Sequence, residues 1–301
     1  MLEKIMDFFK LAYRQKAAVY RLRDVFRGKY WGMKCTAVLL VIAEALGCIL
    51  LDTPMSVMGG DLNLDGYKLV FEDEFDGDTL NTDVWNYRAT GARRGGFNDP
   101  SQIEVSNGSL KLTAEYLEKE DETKSGWYAG MINLKEYYTR GYFEIRCICN
   151  KDKGFWSAFW LQSPNAYNHD KSMGGVGGAE IDIFEAMAAN DKFPYDPNVV
   201  THTIHCNGVD DVVDEIDSCC LGDFKVGRDI YNEYNTYGLE WTEDEYIFYI
   251  NGKESARSSF GKGTSTTPQE VIVSLEIPED IPFEPGYTSQ MIVDYVRIYQ
   301  K

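Results

Sequence analysis

The sequence has no CxxC pair and no HxxxH spacing, and this absence removes the common structural zinc sites. Its seven cysteines therefore serve no evident metal framework. Cys147 and Cys149 share one strand face and make poor partners for each other. Cys206 with Cys219 or Cys220 would close an acidic loop, a pairing that spacing alone leaves open. The expectation for these thiols is that they behave as small buried hydrophobes. From Tyr67 to the end there is no helical period of any length and no internal repeat, which argues against a helical bundle or a solenoid. Basic residues are scarce as well. There are 30 Lys and Arg against 48 Asp and Glu, for a net charge of −18, so nucleic acid is a poor partner.

The charge that is present is unevenly placed. Residues 1–34 hold nine basic groups against three acids, or +6, which leaves −24 on the rest. Within that head, residues 2–27 read as a basic amphipathic helix, with Ile5, Phe8, Phe9, Ala12, Tyr13, Val19, Leu22 and Phe26 roughly on one side. Cys35–Leu51 follows, an apolar run of 17 residues broken only by Glu44. Its length suits a short membrane anchor or a signal-peptide core. A basic flank before it and an acidic domain after it predict an outside location, secreted or on the cell surface. A second start at Met33 would make the same run a lipoprotein-type signal ending in Ala45-Leu-Gly-Cys48, with lipid on Cys48. The expected layout is thus a basic head (1–34), an apolar segment (35–51), a linker (52–66) and one large domain (67–301).

The linker contains Asp61-Leu-Asn63-Leu-Asp65-Gly66 with Glu72 behind it, the spacing of a calcium-binding EF-hand loop. An EF-hand needs a helix on each side, and Val70-Phe71 reads as strand, so a turn feeding the first strand is expected. Beyond it, short apolar or alternating runs recur between turn signals such as Asn107-Gly108 and Asn251-Gly252. They are Leu110–Ala114, Gly141–Cys149, Trp156–Leu161, Ile181–Phe184, Val199–His205, Tyr246–Ile250, Val271–Leu275 and Ile292–Tyr299. Many antiparallel strands around one core imply an all-β sandwich of two sheets.

The chemistry centres on Glu180-Ile-Asp182-Ile-Phe-Glu185. On a regular strand Glu180 and Asp182 share a face, and Glu185 points to the other. A β-bulge at Ile183-Phe184 would return Glu185 to the face of the first two. Three acids on one face raise each other's pKa, which suits a pair of carboxyls with one ionised and one protonated. That division of labour is what glycoside hydrolysis uses. The preceding Gly174-Gly-Val-Gly-Gly178 lacks a following Lys and opens no helix, so it is read as a mobile cleft lip and not as a phosphate loop.

The hexapeptide resembles the catalytic motif of glycoside hydrolase family 16, in its bulged, laminarinase-like form. Other stretches resemble the family in the same order: Phe71-Glu-Asp-Glu-Phe75-Asp-Gly, Gly154-Phe-Trp156-Ser-Ala-Phe-Trp160-Leu and Thr203-Ile-His205. Tyr237-Gly-Leu-Glu-Trp241-Thr, Tyr249-Ile-Asn-Gly252 and Asp294-Tyr-Val-Arg-Ile-Tyr299 continue the series. The resemblance implies a concanavalin-like jelly roll in which Glu180 is the nucleophile, Glu185 the general acid/base, and Asp182 the group that orients Glu180. It places Trp156, Trp160, His205, Asn98 and Trp241 in a substrate cleft. It requires no cofactor for catalysis, and it implies a structural calcium held by Asp294 and the Gly108 carbonyl. The expected partner of this single chain, acting as a monomer, is a polysaccharide. Charge selects among polysaccharides, because a domain of −24 repels a sulfated chain unless basic groups line the cleft, and Arg88, Arg93 and Arg94 are the one concentrated group there. The expectation is therefore an endo-acting β-1,3- or mixed β-1,3-1,4-glucanase. A galactanase, a transglycosylase or a non-catalytic glycan-binding jelly roll is the alternative.

Overall fold

The computed structural model describes residues 54–151, 154–187, 198–208, 217–279 and 286–301. The basic head and Cys35–Leu51, including Cys48, lie outside the described residues. Among the described residues no helix is long and apolar enough to cross a membrane. All eight strands expected from the sequence are present, most of them extended by a few residues at the ends. They belong to two sheets packed face to face, an all-β jelly roll.

The front sheet has eight strands. In spatial order they are Met55–Ser56, Asp217–Lys225, Val199–Cys206, Ala179–Met187, Trp156–Gln162, Glu270–Glu276, Met131–Leu134 and Trp85–Tyr87. The back sheet is built around Gly141–Ile148, flanked by Asn235–Trp241 on one side and Thr288–Gln300 on the other. Alternation decides which side chains meet in between. Phe159, Leu161, Ile181, Val271, Val273 and Leu275 enter the core from the front, and Phe143, Ile145, Leu239, Phe248, Val296 and Ile298 from the back. Each such side chain contributes about 1.5–3 kcal/mol through burial. Phe184 stacks on Tyr237 across the gap at 4.0 Å between ring centroids, tying the strand of the three acids to the opposite sheet. Cys147, Cys149, Cys206 and Cys219 are buried among these residues, as small hydrophobes would be.

Residues 54–66, expected as a linker, lie along the domain. Met55–Ser56 pairs in parallel with Phe224–Lys225, and Asp61 bridges to Lys253. The loop with calcium-like spacing is a turn: Asn63 Oδ1 accepts from the Asp65 N–H at 2.7 Å, and the strand Lys68–Asp73 follows directly. The Gly174–Gly178 stretch departs from the mobile lip expected of it. It belongs to a short 3-10 segment, Lys171–Gly177, with Gly174, Gly175 and Gly177 buried. The glycines serve close approach. A Cβ on Gly174 would stand 2.7 Å from the Gly261 carbonyl oxygen, and Gly175 donates to that same oxygen at 2.7 Å.

Candidate active site

The cross-strand register builds the site. Against Trp156–Gln162, Glu180 faces Gln162, Asp182 faces Trp160 and Glu185 faces Ala158, with a register shift between the last two pairs. The same shift appears against Val199–Cys206, where Glu180 faces His205, Asp182 faces Thr203 and Glu185 faces Thr201. Ile183 and Phe184 are both wholly buried, two consecutive inward residues, as a bulge requires. The expected bulge is therefore present at the expected residues, and all three acids line one cavity of about 360 Å³. Ala158 opposite Glu185 leaves room for a ligand there.

Environment separates the acids. Glu180 accepts from the Gln162 amide and the Tyr167 hydroxyl, donors that favour its charged form, although burial and then Asp182 raise its pKa. No such donor among the described residues reaches Glu185. Burial, then the charge of Asp182, pushes its carboxyl up to about 8. Asp182 is 5 % exposed and is raised by burial, while His205 opposes that rise through a contact of 3.2 Å from Nε2 to Oδ2. On its other side His205 Nδ1 meets the Ser218 hydroxyl at 2.6 Å. Burial works most strongly against the imidazolium, but Asp182 together with the charges of Glu180 and Glu185 outweighs it and raises the His205 pKa. One glutamate thus has donors to its charged form and the other has none, which sets the two apart in ease of ionisation.

These shifts predict the pH profile. A general acid works only while protonated, so with Glu185 in that role kcat/KM should fall as pH rises through about 8, where burial and Asp182 place its carboxyl. A nucleophile works only while ionised, so with Glu180 in that role activity should also fall on the acid side, at a pH above the ordinary glutamate value because Glu180 is raised. Asp182→Asn removes the negative neighbour and should move the alkaline limb towards lower pH. An unmoved limb in that variant would show that Asp182 does not set the acid.

The remaining candidates separate clearly. Trp160 lies on the cleft floor with Met131, Ala158 and Ile272, only 6 % exposed, its N–H donating to Ser274 at 3.1 Å. The Arg88 guanidinium lies over its ring at 4.8 Å, so its face is already occupied. Trp156 lines the same cavity and keeps partial exposure, with the Arg94 guanidinium over its ring at 5.2 Å. His205 acts on Asp182 as described. Asn98 is 5 % exposed, its amide against the Met131 sulfur at 3.8 Å, and it is not among the residues that line the cavity. Trp241 corrects the sequence reading outright. It is wholly buried in the back sheet, stacked on Phe143 at 6.3 Å, and takes no part in this cleft. Asp294 accepts from Arg146 through Oδ2, and the side chain nearest Gly108 is Asp76, whose Oδ1 would be 3.9 Å from a Cβ there.

Several groups went unnoticed in the sequence. Glu276 faces Trp156 in the ladder and binds Arg93 at 2.8 Å and Arg94 at 3.4 Å, while only 4 % exposed. Glu270 and Gln162, equally unnoticed, hold Arg88 at 3.1 and 2.8 Å. His202, wholly buried beneath the bulge, donates from Nδ1 to the Ile183 carbonyl at 2.5 Å and meets Ser255 Oγ through Nε2 at 2.8 Å. Ser255 belongs to the back sheet, and its single hydroxyl proton is shared between His202 Nε2 and the Phe248 carbonyl at 3.1 Å. Burial holds the His202 pKa down to about 4, so the ring is neutral.

Comparison with known proteins gives the same picture. A glucan endo-1,3-beta-glucosidase A1 of Niallia circulans is 27% identical over 284 residues, 80% of this chain, and the chain spans 39% of that relative's length. A beta-glucanase of Rhodothermus marinus is 25% identical over 296 residues, 89% of this chain and 95% of the relative. The solved structure of SCLam, a non-specific endo-beta-1,3(4)-glucanase from family GH16, superposes with a TM-score of 0.64 at 23% identity, covering 83% of this chain and 97% of that one, and this shows the fold. Residues 69–301 match the family model of the GH16 domain of beta-porphyranases A–D. With the bulged acid motif on one sheet face and that match across the folded domain, the chain belongs to glycoside hydrolase family 16.

Proposed function

We propose that the chain is a retaining endo-glycosidase that hydrolyses β-1,3- or mixed β-1,3-1,4-glucan. The observation that carries this reading is the bulge, which sets two carboxyls of unlike environment on one face of one strand. Glu180 attacks the anomeric carbon while Glu185 gives its proton to the departing glycosidic oxygen, and the bond to that oxygen breaks. A glycosyl ester on Glu180 remains. Glu185, now ionised, takes a proton from water, which attacks the same carbon and frees Glu180. Asp182 holds its negative charge beside both glutamates, and His205 holds Asp182 in place. The glucanases named above support the substrate. The test is digestion of laminarin and barley-type glucan with product anomers followed by NMR. Inverted stereochemistry would overturn the double displacement, and inactivity on both polymers would overturn the glucan.

The arginines favour a second reading of the substrate. Arg88, Arg93 and Arg94 all line the cavity of the acids, and Arg94 is half-exposed. They offset the local negative charge inside an otherwise acidic domain, which is the condition under which a sulfated galactan is not repelled. The beta-porphyranase family model agrees with this alternative. Parallel digestion of agarose, porphyran and a carrageenan at low and physiological salt separates the two readings.

A calcium ion at Asp294 and the Gly108 carbonyl would be structural and touch no reacting atom. Asp76 beside Gly108 supports it, whereas Arg146 competes for Asp294. If calcium binds, a concentration about 100-fold above Kd should raise Tm by about 5–10 °C relative to EDTA. An unchanged Tm would leave Arg146 as the sole counter-ion.

We extend the same proposal to the N-terminus: residues 35–51 export or anchor the enzyme outside the cell and take no part in catalysis. A chain beginning at Asp52 should be soluble and fully active. Aggregation, or loss of a cooperative unfolding transition, would place the apolar run in the core instead.

A further inference from the structure

The antiparallel register sets a row of polar side chains across five neighbouring strands of the front sheet. Ser218 faces His205, His205 faces Glu180, Glu180 faces Gln162, and Gln162 faces Glu270. Residues directly opposite one another share a face of a sheet, so these groups form one line through the site. Gln162 is the member that joins its two halves. Its Nε2 donates to Glu180 Oε2, and its Oε1 accepts from Arg88 Nη2 at 2.8 Å. The Tyr167 hydroxyl is hydrogen-bonded to both Glu180 and Gln162.

An amide has a donor end and an acceptor end of nearly the same shape. Turned over, Gln162 would set its oxygen against Glu180 and its NH2 against the guanidinium, two repulsive contacts in a partly buried site. Arg88 therefore decides which end meets Glu180. Arg88 is itself held firmly. It follows the strand Trp85–Tyr87, and its main-chain N–H donates to the Met131 carbonyl at 2.9 Å. Its Nε pairs with Glu270 at 3.1 Å, its Nη1 meets the Met131 sulfur at 3.6 Å, and its plane lies over the Trp160 ring at 4.8 Å. The Tyr137 hydroxyl occupies the other oxygen of Glu270 at 2.7 Å. All three guanidinium nitrogens are thus engaged by the protein, whereas Arg94 in the same cavity is half-exposed.

We propose that Arg88 is a positioning residue for the nucleophile and acts through Gln162, whose amide it fixes with an N–H towards Glu180. The role rests on Glu180 being the nucleophile; the chain of hydrogen bonds does not. The fixed N–H stabilises the carboxylate before attack and is aimed at the group where charge returns when the glycosyl ester breaks. Asp182 and Glu185 act on Glu180 from its own strand, His205 from the next, and Tyr167 from the loop after Gln162. Burial and then Asp182 raise the Glu180 pKa, while Tyr167, His205 and Gln162 lower it, so losing the Gln162 donor raises it further.

The test is the titration of Glu180 itself, followed by NMR of carboxyl-labelled protein, with its signal identified by its absence in Glu180→Gln. Gln162→Leu should raise the midpoint by about one pH unit. Arg88→Met, which keeps an apolar stem over Trp160, should give a part of that rise. The double variant should rise no further than Gln162→Leu alone. Melting curves establish that each is folded, and Arg88→Leu replaces Arg88→Met if the latter is not. On whichever glycan is cut, the acid limb of kcat/KM should move to higher pH by the same amounts, with KM little changed. An unmoved midpoint without Arg88 overturns the proposal. Additive shifts in the double variant also overturn it, because Arg88 would then act by its charge across space. A loss confined to KM on a sulfated polymer would make Arg88 a substrate contact instead. Full turnover in Glu180→Gln would remove Glu180 as nucleophile and leave the chain from Arg88 standing on the NMR result.

Discussion

Glu180→Gln should lower kcat by a factor on the order of 10⁴–10⁶ while leaving the melting temperature and polysaccharide binding almost unchanged. The amide keeps the shape of the side chain but cannot form the glycosyl ester. The Gln162 and Tyr167 contacts around it involve groups that donate and accept, so the new amide can still be accommodated. Glu185→Ala should be comparably severe on natural substrate, for a different reason. It removes the proton donor and opens space opposite Ala158. With an activated glycoside, whose leaving group needs no proton, azide should enter that space, restore part of the rate and yield a β-glycosyl azide. Rescue in Glu180→Gln but not in Glu185→Ala would exchange the two roles.

His202→Phe should be the next most damaging change, although His202 touches no substrate. Its Nδ1–H holds the carbonyl of Ile183, the first of the two inward residues of the bulge, and its Nε2 joins Ser255 and hence the back sheet. Loss of the donor leaves a buried carbonyl unsatisfied, at about 1–3 kcal/mol. The catalytic consequence comes from position, because a displacement near 1 Å of a reacting group can cost about 10²-fold. The expected result is a fall in kcat of about 10–100-fold with KM little changed, together with a shift of the alkaline limb that reports Glu185. His202→Asn, which retains a donor, should recover part of kcat. A variant that is merely less stable, with kcat and pH profile intact below its melting temperature, would reduce His202 to a packing residue.

How much of this was legible in the sequence follows the range of the forces involved. The strands and the bulge are local matters, written in the alternation around Ile181 and broken at Ile183-Phe184, and they were readable. Arg88, Arg93 and Arg94 were visible as a cluster of charge. Glu276, Gln162 and Tyr167 were not, because their importance arises from strands that neighbour the acids in space, and register is not recorded in any one segment. Trp241 shows the same blindness from the other side. Resemblance put it in the cleft, and nothing in its own segment could correct that, because the segment does not record which sheet its strand joins. The glycines at Gly174–Gly178 were read for freedom, whereas their use is tight contact with Gly261.

The bulge also makes the catalytic face a question of parity. A regular strand would carry one inward residue between Asp182 and Glu185, and this strand carries two, so Ile183 is the surplus residue. Deleting Ile183 would leave Asp182, Phe184 and Glu185 in plain alternation, with Glu185 still on the face of Asp182 and the strand beyond it in register. Deleting Ile183 and Phe184 together would set the two acids side by side, turning Glu185 inward or else driving the rest of its strand through a half-turn that buries polar groups. A chain shortened here by one residue would keep its active face; one shortened by two would not.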